Sequence, residues 1–119
     1  MSTKQATQIE WMASFFYKTV ARAWLHLYLA ERSVGLAITN GAAEEAVHIS
    51  FARLALKHAE MEVDNARVIM NDLVGLMKER SWAKEERAEV EGVFYQLSGA
   101  FSNLKRRVAQ VGGGDGGER

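Results

Sequence analysis

Apolar residues recur along this chain at three- and four-residue intervals. They fall in three runs separated by short polar breaks, a spacing that predicts three long helices. The last run is the plainest. Val90, Leu97 and Leu104 repeat every seven residues, and Val93, Phe94, Ala100, Phe101 and Val108 widen the stripe. Glu91, Ser98, Ser102, Lys105 and Arg106 lie opposite. Such a helix buries one face and wets the other.

The first run, from about Gln8 to Ile38, is apolar nearly all round. Ile9, Phe16, Val20, Ala23, Leu27 and Val34 make one face, which Phe15, Leu29 and Leu36 extend. Trp11, Tyr17, Trp24, Leu25 and Tyr28 lie elsewhere. Two partner helices cannot cover every side of such a helix, and large apolar patches left in water mark interfaces. The expectation is a homo-oligomer, most simply a two-fold dimer with the first helix near the axis. Trp11, Phe15, Trp24 and Tyr28 are the expected contact residues. In the alternative, the N-terminal residues fold back and cover this surface.

The second run, from Ala42 to about Arg80, carries two apolar rows. Val47, Leu54, Met61 and Val68 form one. Ile49, Leu56, Val63, Met70 and Met77 form the other, roughly 160° away at 100° per residue, with Ala52, Ala59 and Ala66 beside it. Between the rows lie His48, Phe51, Ala55, His58, Glu62, Asn65, Ile69 and Asp72. Arg53, Lys57, Glu60, Asp64, Arg67 and Asn71 are left for solvent. Polar groups thus sit inside an apolar arc.

The breaks have their own logic. Thr39-Asn40-Gly41 suits a left-handed helix stop, and Glu44 and Glu45 follow in a first turn, facing a positive helix end. Ser81 is a suitable N-cap for the third helix, with Glu85 and Glu86 behind it. Lys105, Arg106 and Arg107 approach its negative end. The 119 residues make one domain over 1–111, and the glycines of 112–119 make a flexible tail. There is no proline to interrupt a helix. Short connections make the helices antiparallel, so the expected fold is all-α: three long antiparallel helices completing a larger helical bundle, with coiled-coil-like packing, by dimerisation.

Composition removes several function classes. Without cysteine there are no disulfides, thiolate metal sites or cysteine nucleophiles. Fifteen basic residues balance fifteen acidic ones, so the chain has no general attraction for nucleic acid or an anionic membrane. The most apolar stretch, 11–30, holds Lys18, Arg22 and His26 at about one per turn, which is costly in lipid. The first residues do not resemble a signal peptide. The expectation is a cytoplasmic protein with no membrane or nucleic-acid partner.

The polar arc carries the candidate chemistry. His58 and Glu62, four apart, share a helix face. Folding the first helix back about Asn40 brings Thr19, Arg22 and His26 within about a turn of them. One reading is a buried polar network of Arg22, His26, His58, Glu62 and Asn65, with Arg22 satisfying Glu62. A second is a carboxylate/histidine metal site for iron, manganese or zinc. Glu45-x-x-His48 with Glu31 resembles half of a ferritin-like di-iron site, which a dimer would complete, and His26, His58 and Glu62 are the other candidate set. Arg53-x4-His58 resembles the Arg-x4-His element of HEPN-type ribonucleases over six residues. On a straight helix, however, the two side chains point roughly 140° apart. No glycine-rich phosphate loop or Ser/His/Asp set is present. The leading expectation is a non-enzymatic interaction module (an adaptor, chaperone or assembly component) that binds itself or another protein and needs no cofactor. A metal-binding bundle is the alternative.

Overall fold

A computed structural model describes residues 3–39, 42–82 and 84–111. Three α-helices make the fold: α1 (Thr3–Thr39), α2 (Ala42–Glu79) and α3 (Lys84–Val111). Among the described residues there is no strand, and no helix is long and apolar enough to cross a membrane. The Asn40-Gly41 stop and the glycine tail lie outside the described residues. α1 begins at Thr3 rather than near Gln8, so the N-terminal segment continues the helix and does not fold back over it.

α1 and α2 form one long antiparallel hairpin, and the molecule measures 61 × 21 × 18 Å. The seam of the hairpin is built from alanine. Ala23, Ala30 and Ala37 repeat every seven residues on α1, Ala52, Ala59 and Ala66 do so on α2, and all six are at most 2% exposed. A methyl group at each level lets two helix backbones approach closely and stay parallel over many turns. Larger side chains flank the seam on the α3 side: Phe16, Val20, Leu27 and Val34 from α1, and Leu56, Val63, Met70, Leu73 and Met77 from α2. α3 closes that side with Val90, Phe94, Leu97, Leu104 and Val108. The row Ile49-Leu56-Val63-Met70-Met77 is thus the core row of α2.

Three expectations change. Ser81 does not cap α3; it ends α2. Its φ is 61°, its N–H donates to Lys78 O at 3.1 Å, and Trp82 N–H reaches back to Met77 O at 2.9 Å. That pair of bonds is a Schellman stop, with Ser81 in the left-handed position glycine usually fills and Trp82 folded onto the core. The basic run near the end of α3 does not serve its last turn, which holds no cation. Lys105 and Arg107 instead reach Glu60 of α2 at 3.9 Å and Glu31 of α1 at 3.5 Å, and Arg106 bonds Asn103. Finally, Phe15 and Leu29 do not extend the core face of α1; both remain about 44% exposed.

The phenol of Tyr17 in α1 is shifted by its surroundings. Partial burial, then the Glu89 carboxylate of α3, raises its phenol above the usual tyrosine range.

Two outcomes follow from these contacts. Ala59→Leu overfills the seam and costs about 1–3 kcal/mol, whereas Ser81→Gly relieves the left-handed position and adds about 0.5–1 kcal/mol. Urea titration of the two variants beside the parent reads both signs. Because the folded Tyr17 pKa is raised, its contribution is whole below the unfolded value near 10 and is lost as pH rises through the folded one. Tyr17→Phe flattens that alkaline decline, which denaturation midpoints between pH 9 and 12 would show.

Candidate functional site: the open face of the α1–α2 hairpin

α3 covers one side of the hairpin, and no described residue covers the opposite side. On that side α1 presents Trp11, Phe15, Lys18, Arg22, Leu25, Leu29, Arg32 and Leu36, at alternating intervals of four and three. α2 presents Val47, Phe51, Leu54, His58, Met61, Asn65, Val68 and Asp72 at the same intervals. Alternating four and three is the a/d spacing with which a helix meets another helix. Each helix of the hairpin therefore carries two heptad seams: one holds the hairpin together, and the other faces solvent. The row Val47-Leu54-Met61-Val68 belongs to the second.

Nine large apolar side chains of this face are between 43 and 69% exposed: Trp11, Phe15, Leu25, Leu29, Val47, Phe51, Leu54, Met61 and Val68. They form an apolar stripe along both helices, interrupted by Lys18, Arg22, Arg32, His58 and Asn65, and exposed apolar surface of this extent marks interfaces. Two clefts run along the groove between the helices. One is lined by Phe15, Thr19, Arg22, Asn65, Val68 and Ile69, the other by His26, Leu29, Leu36, Phe51, Leu54 and His58 among others.

The structure divides the expected contact residues. Trp11 and Phe15 stack on the open face, with ring centroids 5.9 Å apart and planes 13° apart. Trp24 and Tyr28 lie around α1, in a separate groove with Ala100, Asn103, Leu104 and Arg107 of α3.

The polar set sits in the middle of the open face. Arg22 Nε lies 3.4 Å from Glu62 Oε2, and Thr19 Oγ1, which donates to Phe15 O, accepts from Arg22 Nη2. One turn along, the His26 and His58 rings are 5.3 Å apart with planes 25° from parallel. His26 Nδ1 is buried and without a hydrogen-bond partner. Within one chain the set is not a buried network. Arg22, His58 and Asn65 are exposed, while His26 and Glu62 are half-buried, because no described residue covers the groove.

The other candidate constellations come apart. Glu31 is engaged by Arg107 of α3, and His48 pairs with Glu44 at 3.6 Å rather than grouping with Glu45. Among the described residues of one chain, no three His, Asp or Glu side chains converge as metal ligands. α2 runs unbroken through Arg53 and His58, which line clefts on opposite sides of it, the former with α3 and the latter with α1.

The electrostatics of the face are lopsided. Lys18, Arg22 and Arg32 stand on the α1 half, and its heptad positions hold no carboxylate. On the α2 half stand Glu62 and Asp72, and its heptad positions hold no lysine or arginine. Arg22 and Glu62 already pair with each other, which leaves Lys18 and Arg32 on the α1 half and Asp72 on the α2 half.

Comparison with protein-family models, curated proteins and solved structures found no match to this chain.

The Arg22–Glu62 pair is partly open to water, so it is worth little by itself. Arg22→Ala lowers the stability of the single chain by less than about 1 kcal/mol, as measured by denaturation at the lowest protein concentration that gives a signal. A loss of several kcal/mol would mean that the pair is enclosed even there.

Proposed function

We propose that this protein is a small helical interaction module that works as a homo-oligomer through the open face of its α1–α2 hairpin. One observation carries the reading. The face repeats the heptad spacing of a helix–helix seam on both helices and leaves nine large apolar side chains on it half in water. A helix that only met solvent would gain nothing from that spacing.

Charge favours a second copy as the occupant. Beyond the internal Arg22–Glu62 pair, α1 keeps the cations Lys18 and Arg32 and α2 the anion Asp72, so two copies placed face to face keep like charges apart when α1 of one lies over α2 of its partner. Like halves placed over one another would repel. Four helices then enclose the polar groups of the groove in one bundle. The surface that would recruit further proteins on such an assembly is the Trp24–Tyr28 groove beside α3, which self-association leaves free.

The test is the mass in solution. The parent sediments at twice the 13.3 kDa chain mass at micromolar concentration. Leu54→Glu, at the centre of the α2 stripe, reduces it to a monomer of unchanged helicity. Trp24→Glu, on the other side of α1, leaves the dimer intact. A parent that remains monomeric at the highest soluble concentration overturns the reading, as does loss of the dimer in Trp24→Glu but not in Leu54→Glu.

A further inference from the structure

The groove between α2 and α3 lies on the other side of α2 from the open face, and it differs in charge from the clefts above. Its floor is apolar, made by Leu56 of α2 with Phe101 and Val108 of α3. Its rims are cationic. Arg53 and Lys57 stand on the α2 side and Lys105 on the α3 side, against one carboxylate, Glu60. The chain as a whole is neutral, so this excess is local. The groove beside Trp24 and Tyr28, on the other flank of α3, holds one cation and one anion, Arg107 and Glu31, and these engage each other.

Glu60 does not restore the balance. It lies 3.9 Å from Lys105 Nζ, and both side chains are at least half exposed. Such a contact contributes little, so a carboxylate from outside can take its place at small cost. The Lys105 ammonium also stands over the Phe101 ring, 5.8 Å from its centroid. That attraction keeps the charge beside the apolar floor. A ligand that fits must therefore bring an apolar group and negative charge together.

The size of the groove narrows the choice. It is an open trough of about 240 Å³. Cavities that bury most of a small molecule run to about 300–1,000 Å³. This trough has room for one or two apolar side chains of something larger that lies across it. The α2 rim from Arg53 to Glu60 is about 10 Å long, or two helical turns. A trough of that length between two helices suits the apolar edge of a third. We propose that this groove docks an acidic amphipathic helix of another protein, with its apolar side chains on Leu56, Phe101 and Val108 and its carboxylates toward the cationic rims. Charge selects this occupant, because a basic helix of the same apolar pattern meets like charge on both sides. The site is separate from the open face and does not depend on self-association.

Two fluorescent synthetic peptides of about 18 residues, some five helical turns, test it. Both carry leucine at i, i+3, i+4 and i+7 spacing. The flanking positions hold glutamate in one and lysine in the other. Fluorescence anisotropy with the full chain reads their affinities. The expected result is that the glutamate peptide binds about tenfold or more tightly than the lysine peptide, and that added salt weakens it. Lys57→Glu and Lys105→Glu each reduce its affinity about tenfold, whereas Lys18→Glu, on the open face, leaves it unchanged. All three lysines are exposed, and circular dichroism checks that helicity is kept; Lys57→Gln and Lys105→Gln serve if a reversal unfolds the chain. Equal binding of the two peptides overturns the proposal, as does binding that responds to Lys18→Glu but not to Lys57→Glu or Lys105→Glu. Failure of the glutamate peptide to bind at the highest soluble concentration also overturns it, and binding to anionic phospholipid vesicles in its place would assign the cations to a membrane surface. None of these results touches the homo-oligomer reading, which the mass in solution decides.

Discussion

The close approach of α1 and α2 along their alanine seam is the constraint on which the rest of the structure depends. Six alanines at seven-residue intervals, all essentially inaccessible to solvent, let two helices of 37 and 38 residues run side by side without diverging. Straight, level pairing fixes which residues share a cross-section of the hairpin. Arg22 meets Glu62, and His26 meets His58 one turn further on. A seam of leucines would hold the helices at the wider end of the usual 8–10 Å and open the groove in which these groups touch. A methyl seam has a cost. It buries little apolar area per turn, so the hairpin cannot be stabilised by that contact alone. The larger side chains beside it must find cover on one side or the other.

α3 supplies that cover on one side only. With 28 residues it is shorter than the hairpin, and it is amphipathic in the ordinary sense, with one apolar stripe and a polar back. It therefore adds a third layer and ends the bundle on that side. Its cations tie it to both hairpin helices through Glu31 and Glu60. These exposed pairs orient more than they stabilise. The other side of the hairpin keeps the seam spacing without a helix to meet it.

Much of this was legible in the residues, for identifiable reasons. The three helices follow from uninterrupted periodicity and the absence of proline. The excess apolar surface of α1 follows from simple counting of faces. The two rows of α2 were visible as rows. Which of them met α3 was not, because both have the same spacing and nearly the same hydropathy. Only the alanines beside Ile49, Leu56 and Val63 distinguish the core row, and small size reads as close approach only once the partner's alanines are known to lie level with it. The same ambiguity made Arg22, His58 and Asn65 look interior. Ser81 misled for a different reason. Serine suits a helix start, but a Schellman stop is set by backbone conformation and by the apolar residue after it, here Trp82, and that pattern is weak without glycine. Trp24 and Tyr28 are exposed but lie on a different side of α1 from Trp11 and Phe15, and an all-round apolar helix gives no internal reference for direction until its neighbours are placed.

The charge pattern extends the argument from surface to geometry. Hydrophobic area alone would let two hairpins stack in either sense, since leucine and valine stripes do not distinguish α1 from α2. Beyond the internal Arg22–Glu62 pair, Lys18 and Arg32 on one half against Asp72 on the other make the two senses unequal. In a cross-section enclosed by four helices, like charges cost more than they do at an open surface, because water no longer screens them. In the proposed dimer, the same few residues that break the apolar stripe, and so lower the affinity that area alone would give, would favour one way of stacking. Polar residues at a/d positions act in this way in coiled coils generally, giving up stability for a defined partner and register.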